Sequence, residues 1–259
     1  MHSYRLLLEY DGTDFIGWQR QSLGTSIQGL VEQAVASVMG LPTVSVMASG
    51  RTDAGVHALG QVASFTVPVL REPLQLRRGV NSLLPESVCC LDAARVRTGF
   101  DARKHALGKR YRYRILDGGV RSATRARYLI FDRRVLDLDA MAEGAAWLLG
   151  THDFTSFRAT GSSTPTSVRT LYSVDVTRRG DEVWIEVEGS GFLRHMVRIM
   201  VGTMLEIGRG RMAPADISAV VAARSRQRAS KTAPARGLFL VEVDYGGADE
   251  PLVGLPVSD

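Results

Sequence analysis

Cysteine is almost missing from this 259-residue chain: there are two, Cys89 and Cys90, side by side. Adjacent side chains of a strand point to opposite faces, so a bridge between them is excluded and a metal site gains nothing from them. They read as small core residues in a reducing compartment. No stretch reaches the roughly 18 uninterrupted apolar residues that a membrane helix needs. The opening MHSYRLLLEYDG runs directly into a strand pattern with no cleavage region, so the expectation is a cytoplasmic protein with no membrane partner. Histidines number five, and His2, His105, His152 and His195 have no paired spacing that would complete a metal site begun by Asp53 and His57. Neither a glycine-rich phosphate loop nor a dinucleotide fingerprint occurs.

What is present is enough apolar residue, 45%, to build a real core, and a basic excess: net charge +5 and a sequence pI near 9.5. Residues 95–114 carry eight Lys or Arg against Asp101 alone, and residues 224–236 carry five against no acid. Basic runs are often mere solvated surface. Interleaved with aromatics in a chain of this pI, they favour a polyanionic partner such as nucleic acid.

Along the chain, SYRLLLEY alternates as a strand. A helix is expected over 26–39, with Thr25 and Gln28 as a capping box and Gly40 as its stop. Strands follow near VSVMAS and QVASFTV, then a helix from Pro73 to Leu83 and a strand VCCLDAARV. A second cycle starts at Lys109: the strand KRYRYRIL, a helix ended by Gly150, a hairpin turning near Gly180, the helix FLRHMVRIMVGTMLEIG, a shorter helix at ISAVVAAR, and a last strand GLFLVEVDY. Two β-α-β-β-α-β cycles in tandem predict an α+β fold. It has two ferredoxin-like halves, largely antiparallel sheets joined into one central sheet, and helices on the outer faces. The expected partition is 1–105, 106–247 and a loosely held tail over 248–259.

Three segments carry candidate chemistry. In SGRTDAGVHALG, Gly50 and Gly55 bracket Arg51, Thr52 and Asp53 at a strand end, a common place for functional loops. An Asp between glycines is equally a turn residue bonding nearby amides. In the strand from Lys109 to Ile115, Lys109, Tyr111, Tyr113 and Ile115 share one face, and Arg110, Arg112 and Arg114 the other. That suits aromatics in a core and arginines in water, and equally a ring that stacks on a base while arginines grip phosphates. In GFLRHMVRIMVG, Arg194 and Arg198 lie four apart on an otherwise apolar helix. An arginine turned inward there needs a carboxylate, for which Asp53 is the candidate, and an Asp so paired stays ionised.

In this order, YDGTDFIGWQRQ, TSIQGLVEQA, SGRTDAGVHALGQVASF, VNSLLPESV, FDARKHALGKRYRYRI, GTHDFTSFR, GFLRHMVRIMVG and ARGLFLVEVDY resemble the tRNA pseudouridine synthase A family over nearly the whole chain. The resemblance implies an isomerase that turns uridine into pseudouridine in the anticodon arm, at tRNA positions 38 to 40. It implies a homodimer that needs neither metal nor organic cofactor. Asp53 would be the catalytic nucleophile, Arg198 its ion-pair partner and Tyr111 the ring that packs on the uracil. Arg51 would help displace the nucleotide, with Thr52, His57, Lys109, Arg110 and Arg112 as further substrate contacts. Two other readings stand beside it: a non-catalytic RNA-binding protein, and a metallohydrolase using Asp53, His57, His152 and Asp153.

Overall fold

The computed structural model describes residues 1–161 and 164–246, which form two compact units. The first comprises Met1–Leu107 and the chain from Leu240, and the second Gly108–Phe239. The expected division at 105/106 differs by two residues. The last strand, expected in the second half, is grouped from Leu240 onward with the first unit, a pairing between distant segments that no local pattern announces. The tail expected over 248–259 lies outside the described residues.

The first unit runs β1 (His2–Tyr10), α1 (Ile27–Met39), β2 (Met47–Ala48), β3 (His57–Val67), α2 (Pro73–Asn81) and β4 (Val88–Val96), the expected order. β1 lies between β3 and β4, antiparallel to both, and β2 adds to β3. Alternation in β1 puts Tyr4, Leu6, Leu8 and Tyr10 on one buried face, where Tyr4 stacks on its cross-strand neighbour Phe65 at 5.3 Å. Helix α1 begins one residue later than expected. Ser26, not Thr25, is the cap, accepting from the Gly29 N–H at 3.2 Å, and Gly40 ends it with φ +65°. The opposite sheet face is closed by Val62, Val96, Phe100, Ala102 and Tyr245. Tyr245 donates to the Ala102 carbonyl at 2.7 Å. Cys90 is buried in β4, and burial pushes its thiol up to about 12, so it stays protonated and inert.

The second unit contains β5 (Gly108–Asp117), β6 (Ile130–Asp132), α3 (Leu138–Ala146), β7 (Gly150–Asp153), β8 (Val168–Arg179), β9 (Glu182–Gly189), α4 (Met196–Gly208) and α5 (Asp216–Ala222). Its strands run β5-β9-β8-β7, all antiparallel, with β6 added parallel to β5. β10 (Leu238–Asp244) is the last strand among the described residues. The fold is α+β, as expected. Tyr111, Tyr113 and Ile115 face inward beside Val187, Ile185 and Val183.

Arg112 and Arg114 occupy the other face and meet glutamates of β9. Glu186, directly opposite Arg112, accepts from it at 2.9 Å, and Glu182 holds Arg114 in a two-bond clamp at 2.7 and 2.8 Å. Burial raises the Glu182 carboxyl, but bonds from Arg114, Trp184 and Arg125 outweigh it and hold the group below its ordinary value. A carboxyl so depressed contributes stability that is present above its unfolded pKa and is lost as pH falls through the folded one. The melting temperature of the second unit is therefore expected to drop on acidification below the ordinary glutamate range. Glu182→Gln should lower it at neutral pH and flatten that acid limb, as thermal melts across pH would show.

Candidate active site

The loop that precedes β3 is tied down on two sides. Asp53 forms an isolated antiparallel bridge with Gly17, and the Trp18 N–H donates to the Thr52 carbonyl at 3.1 Å. Gly17 has φ +105°, and a Cβ there would sit 2.6 Å from the Thr52 carbonyl oxygen, so only glycine permits this approach. The turn closes as the Val56 N–H donates to the Asp53 carbonyl at 3.1 Å, with Gly55 at φ +74° in the position that demands a left-handed residue. Gly50 does not adopt a positive φ; its use is as a carbonyl acceptor, described below. Arg51 is exposed and Asp53 half-buried.

Beneath this loop lies a set of buried polar side chains. Ser49 donates to Gln61 Oε1 at 2.7 Å, and Gln61 Nε2 donates to the Gly50 carbonyl at 2.9 Å and to the Tyr10 hydroxyl at 3.3 Å. The Tyr10 and Thr52 hydroxyls are 2.9 Å apart. His57 is buried as well, and its Nδ1 accepts from the Gly12 N–H at 3.1 Å. The same nitrogen stands 3.1 Å from Asp11 Oδ1, yet that oxygen already accepts from the Thr13 N–H and hydroxyl. A nitrogen that accepts carries no proton to donate, so the Gly12 bond decides the ring's role, and the Asp11 contact is not a bond through Nδ1. Thr52 and His57, expected at the substrate, are enclosed and hold the backbone of the loop and of Gly12.

In the second unit Tyr111 is buried on β5, with Phe192 against it edge to face at 5.0 Å and 81°. Helix α4 starts at Met196 rather than Phe192. His195 precedes it with φ +60°, a left-handed conformation that breaks the helical run and costs about 1–3 kcal/mol in a residue with a side chain. Arg194 consequently lies before the helix and is exposed, so it does not share a helix face with Arg198. Arg198 is half-buried near the first turn. Its Nε–H donates to the Ala233 carbonyl at 2.8 Å, while its own carbonyl accepts from the Ala233 N–H at 3.0 Å. A guanidinium anchored at Nε has a fixed plane, which sets the direction of its two Nη groups. Lys109 and Arg110 are half-buried at the start of β5. The Arg112 guanidinium lies 4.0 Å over the Trp184 ring as well as against Glu186.

Sequence reasoning did not single out Gln61, Tyr10, Gly17 or Phe192. The β-pattern places Gln61 on the inward side of β3, and an inward glutamine among Val, Ala and Phe was the available signal. Among the described residues, no three His, Cys, Asp or Glu side chains are grouped as a bound metal would require, and no helix is long and apolar enough to cross a membrane.

A loop tied down around a carboxylate, on an α+β scaffold in a chain of net charge +5, suits an RNA-modifying enzyme. The comparisons with known proteins agree. A family model described as tRNA pseudouridine synthase matches residues 7–103 and 145–246, and the chain belongs to that family of isomerases, which turn uridine in tRNA into pseudouridine. Asp53 and Arg198 lie inside the matched segments, and Tyr111 lies between them.

More particularly, the chain is similar to proteins named tRNA pseudouridine synthase A. That of Syntrophotalea carbinolica is 48% identical over 249 residues, covering 96% of this chain and 98% of the relative. Those of Moorella thermoacetica (45% over 251 residues, 95% and 100% covered) and Acetivibrio thermocellus (41% over 245 residues, 95% and 100%) match to the same extent.

Proposed function

We propose that this chain isomerises uridines at positions 38 to 40 in the anticodon arm of tRNA, in the cytoplasm and as a homodimer, with Asp53 as the nucleophile. The observation that carries this reading is the braced loop, which holds a half-buried carboxylate between an exposed Arg51 and a glycine turn, inside a segment matched by the family. The reaction breaks the bond from C1′ to N1 and makes one from C1′ to C5. The C5 hydrogen leaves as a proton and N1 gains one, so no oxidant and no water are consumed. A carboxylate oxygen held against the sugar and base starts it.

Arg198 is the proposed partner of Asp53, and its Nε anchor to Ala233 supports the role because it pre-orients the Nη edge. The target base must leave its stack, at a cost of a few kcal/mol. Arg51, exposed on the loop, fills the space vacated by the base, and the Tyr111 ring takes up the uracil. Lys109 and Arg110 are the proposed backbone contacts. The charge of Arg112 is already matched by Glu186, which reduces what it offers a phosphate. Thr52 acts by holding the loop, and His57 by holding the backbone of Gly12.

Stacking on an aromatic is worth about 1–3 kcal/mol, so Tyr111→Ala should lower kcat/KM by about 5- to 150-fold, and Tyr111→Phe, which keeps a ring, by far less. Steady-state kinetics on a transcribed tRNA would distinguish them. The whole proposal is tested by mapping pseudouridine in the tRNA of a strain lacking the gene. The anticodon-arm sites should revert to uridine and be restored by the wild-type gene but not by Asp53→Asn. An unchanged map would overturn it.

A further inference from the structure

We infer that Gln61 is a positioning residue for the isomerisation: together with Tyr10 it forms a buried polar brace that fixes the backbone on either side of Arg51, and so fixes where Asp53 is presented. The inference rests on the reading of Asp53 as the catalytic carboxylate. Gln61 and Ser49 are 0% exposed and Tyr10 2%. Such groups stabilise a core little, since apolar residues of the same shape are commonly as good or better there. Their value lies in direction.

Both Nε2 hydrogens of Gln61 are used, one on the Gly50 carbonyl and one on the Tyr10 oxygen, and its Oε1 is used by Ser49. The Tyr10 oxygen accepts from Gln61 and shares a second bond with Thr52 Oγ1, in which either hydroxyl can give the proton. Burial pushes the Tyr10 phenol up to about 12, so it stays neutral and the pair of hydroxyls keeps its bond at any working pH. The chain Ser49–Gln61–Tyr10–Thr52 thus grips residues 50 and 52 from below, while Gly17 and Trp18 grip residues 52 and 53 from the side. Apart from the Ser49 bond that orients Gln61, every tie falls on a neighbour of Arg51 or on Asp53 itself. A polar set that served only the core would have no reason to converge there.

The test measures single-turnover rate, tRNA Kd and melting temperature for Gln61→Glu and Tyr10→Phe beside the wild type and Asp53→Asn. A displacement of about 1 Å costs about 100-fold, so Gln61→Glu is expected to slow the single-turnover step by about that much while tRNA Kd stays within about twofold. Tyr10→Phe should slow it about 10-fold by the same mechanism. The carboxyl introduced by Gln61→Glu still offers one donor and a carbonyl while it is protonated. The rate of that variant should therefore fall further as pH rises through the titration of this carboxyl, a limb absent from the wild type. Should Gln61→Glu fail to fold, Tyr10→Phe, which removes a single oxygen, decides the matter. Wild-type single-turnover rates in the folded variants overturn the inference, even if their melting temperatures fall. Were Asp53→Asn to remain active, the catalytic reading would fail; an inactive Asp53→Asn beside Gln61 and Tyr10 variants at wild-type rate refutes the brace alone.

Discussion

Replacing Asp53 by Asn is expected to lower pseudouridine formation in a transcribed tRNA by at least about 1,000-fold, the scale on which loss of a nucleophile acts. The fold should not notice. Two ties of this residue to the loop run through its backbone: the bridge to Gly17 and the bond from the Val56 N–H to its carbonyl. Asn keeps both and matches the side chain's shape, while it removes the charge and exchanges one acceptor oxygen for an NH2 donor. Melting temperature is therefore expected within a few degrees of the wild type, and tRNA binding should persist. Nucleoside analysis after incubation, run beside a thermal melt and a filter-binding titration, checks all three. A large loss of stability would show that Asp53 is a structural turn residue, the competing reading of an Asp between glycines.

The second large effect is on the fold. Gly202→Ala ordinarily stabilises a helix by about 1 kcal/mol, because alanine is the better helix former. Here the sign should reverse. A Cβ at this point of α4 would lie 1.9 Å from the Lys231 carbonyl oxygen and 3.1 Å from its carbon. That obstacle is backbone, which cannot turn away as a side chain can.

The segment in the way is also bonded to the helix. The Ser230 N–H donates to Thr203 Oγ1 at 3.2 Å, and Ala233 exchanges bonds with Arg198 at 2.8 and 3.0 Å. Pushing it off strains these bonds or breaks them. A net loss of about 2–3 kcal/mol is expected, the upper range for overpacking, and with it the anchor that fixes the Arg198 plane. Denaturant unfolding of Gly202→Ala would read the first effect. Turnover by the fraction that remains folded would read the second, and a variant more stable than the wild type would show the helix to be less closely packed than described.

Much of this architecture was legible because it is locally encoded. The period-two run of β1, the apolar face of α1 with Gly40 behind it, and the hairpin of β8 and β9 each carry their own signal. Where reading failed, the cause was a choice between neighbours or a partner far away. Thr25 and Ser26 are both good caps, and spacing alone did not decide between them. FLRH continues the apolar period of α4, but His195 takes a left-handed backbone and stops the helix short.

The short strands β6 and β7, of three and four residues, exist through pairing with β5 and β8 rather than by pattern. In the site, the glycines around Asp53 marked a functional loop. Alternation also set the arginines of β5 on the face away from the tyrosines. That Glu186 stands opposite Arg112, and that Gln61 reaches Gly50, depends on register and on a network closed across residues 10 to 61. Neither is present in any single window.

The most direct measurement uses tRNA carrying tritium at C5 of its uridines, because joining C5 to C1′ must expel that hydrogen, whereas binding alone cannot. Wild-type protein should release tritium to water in step with the pseudouridine formed in the anticodon arm, and Asp53→Asn should release none. Wild-type protein that binds the tRNA and leaves all of its tritium in place would contradict the assignment of this site as an isomerase.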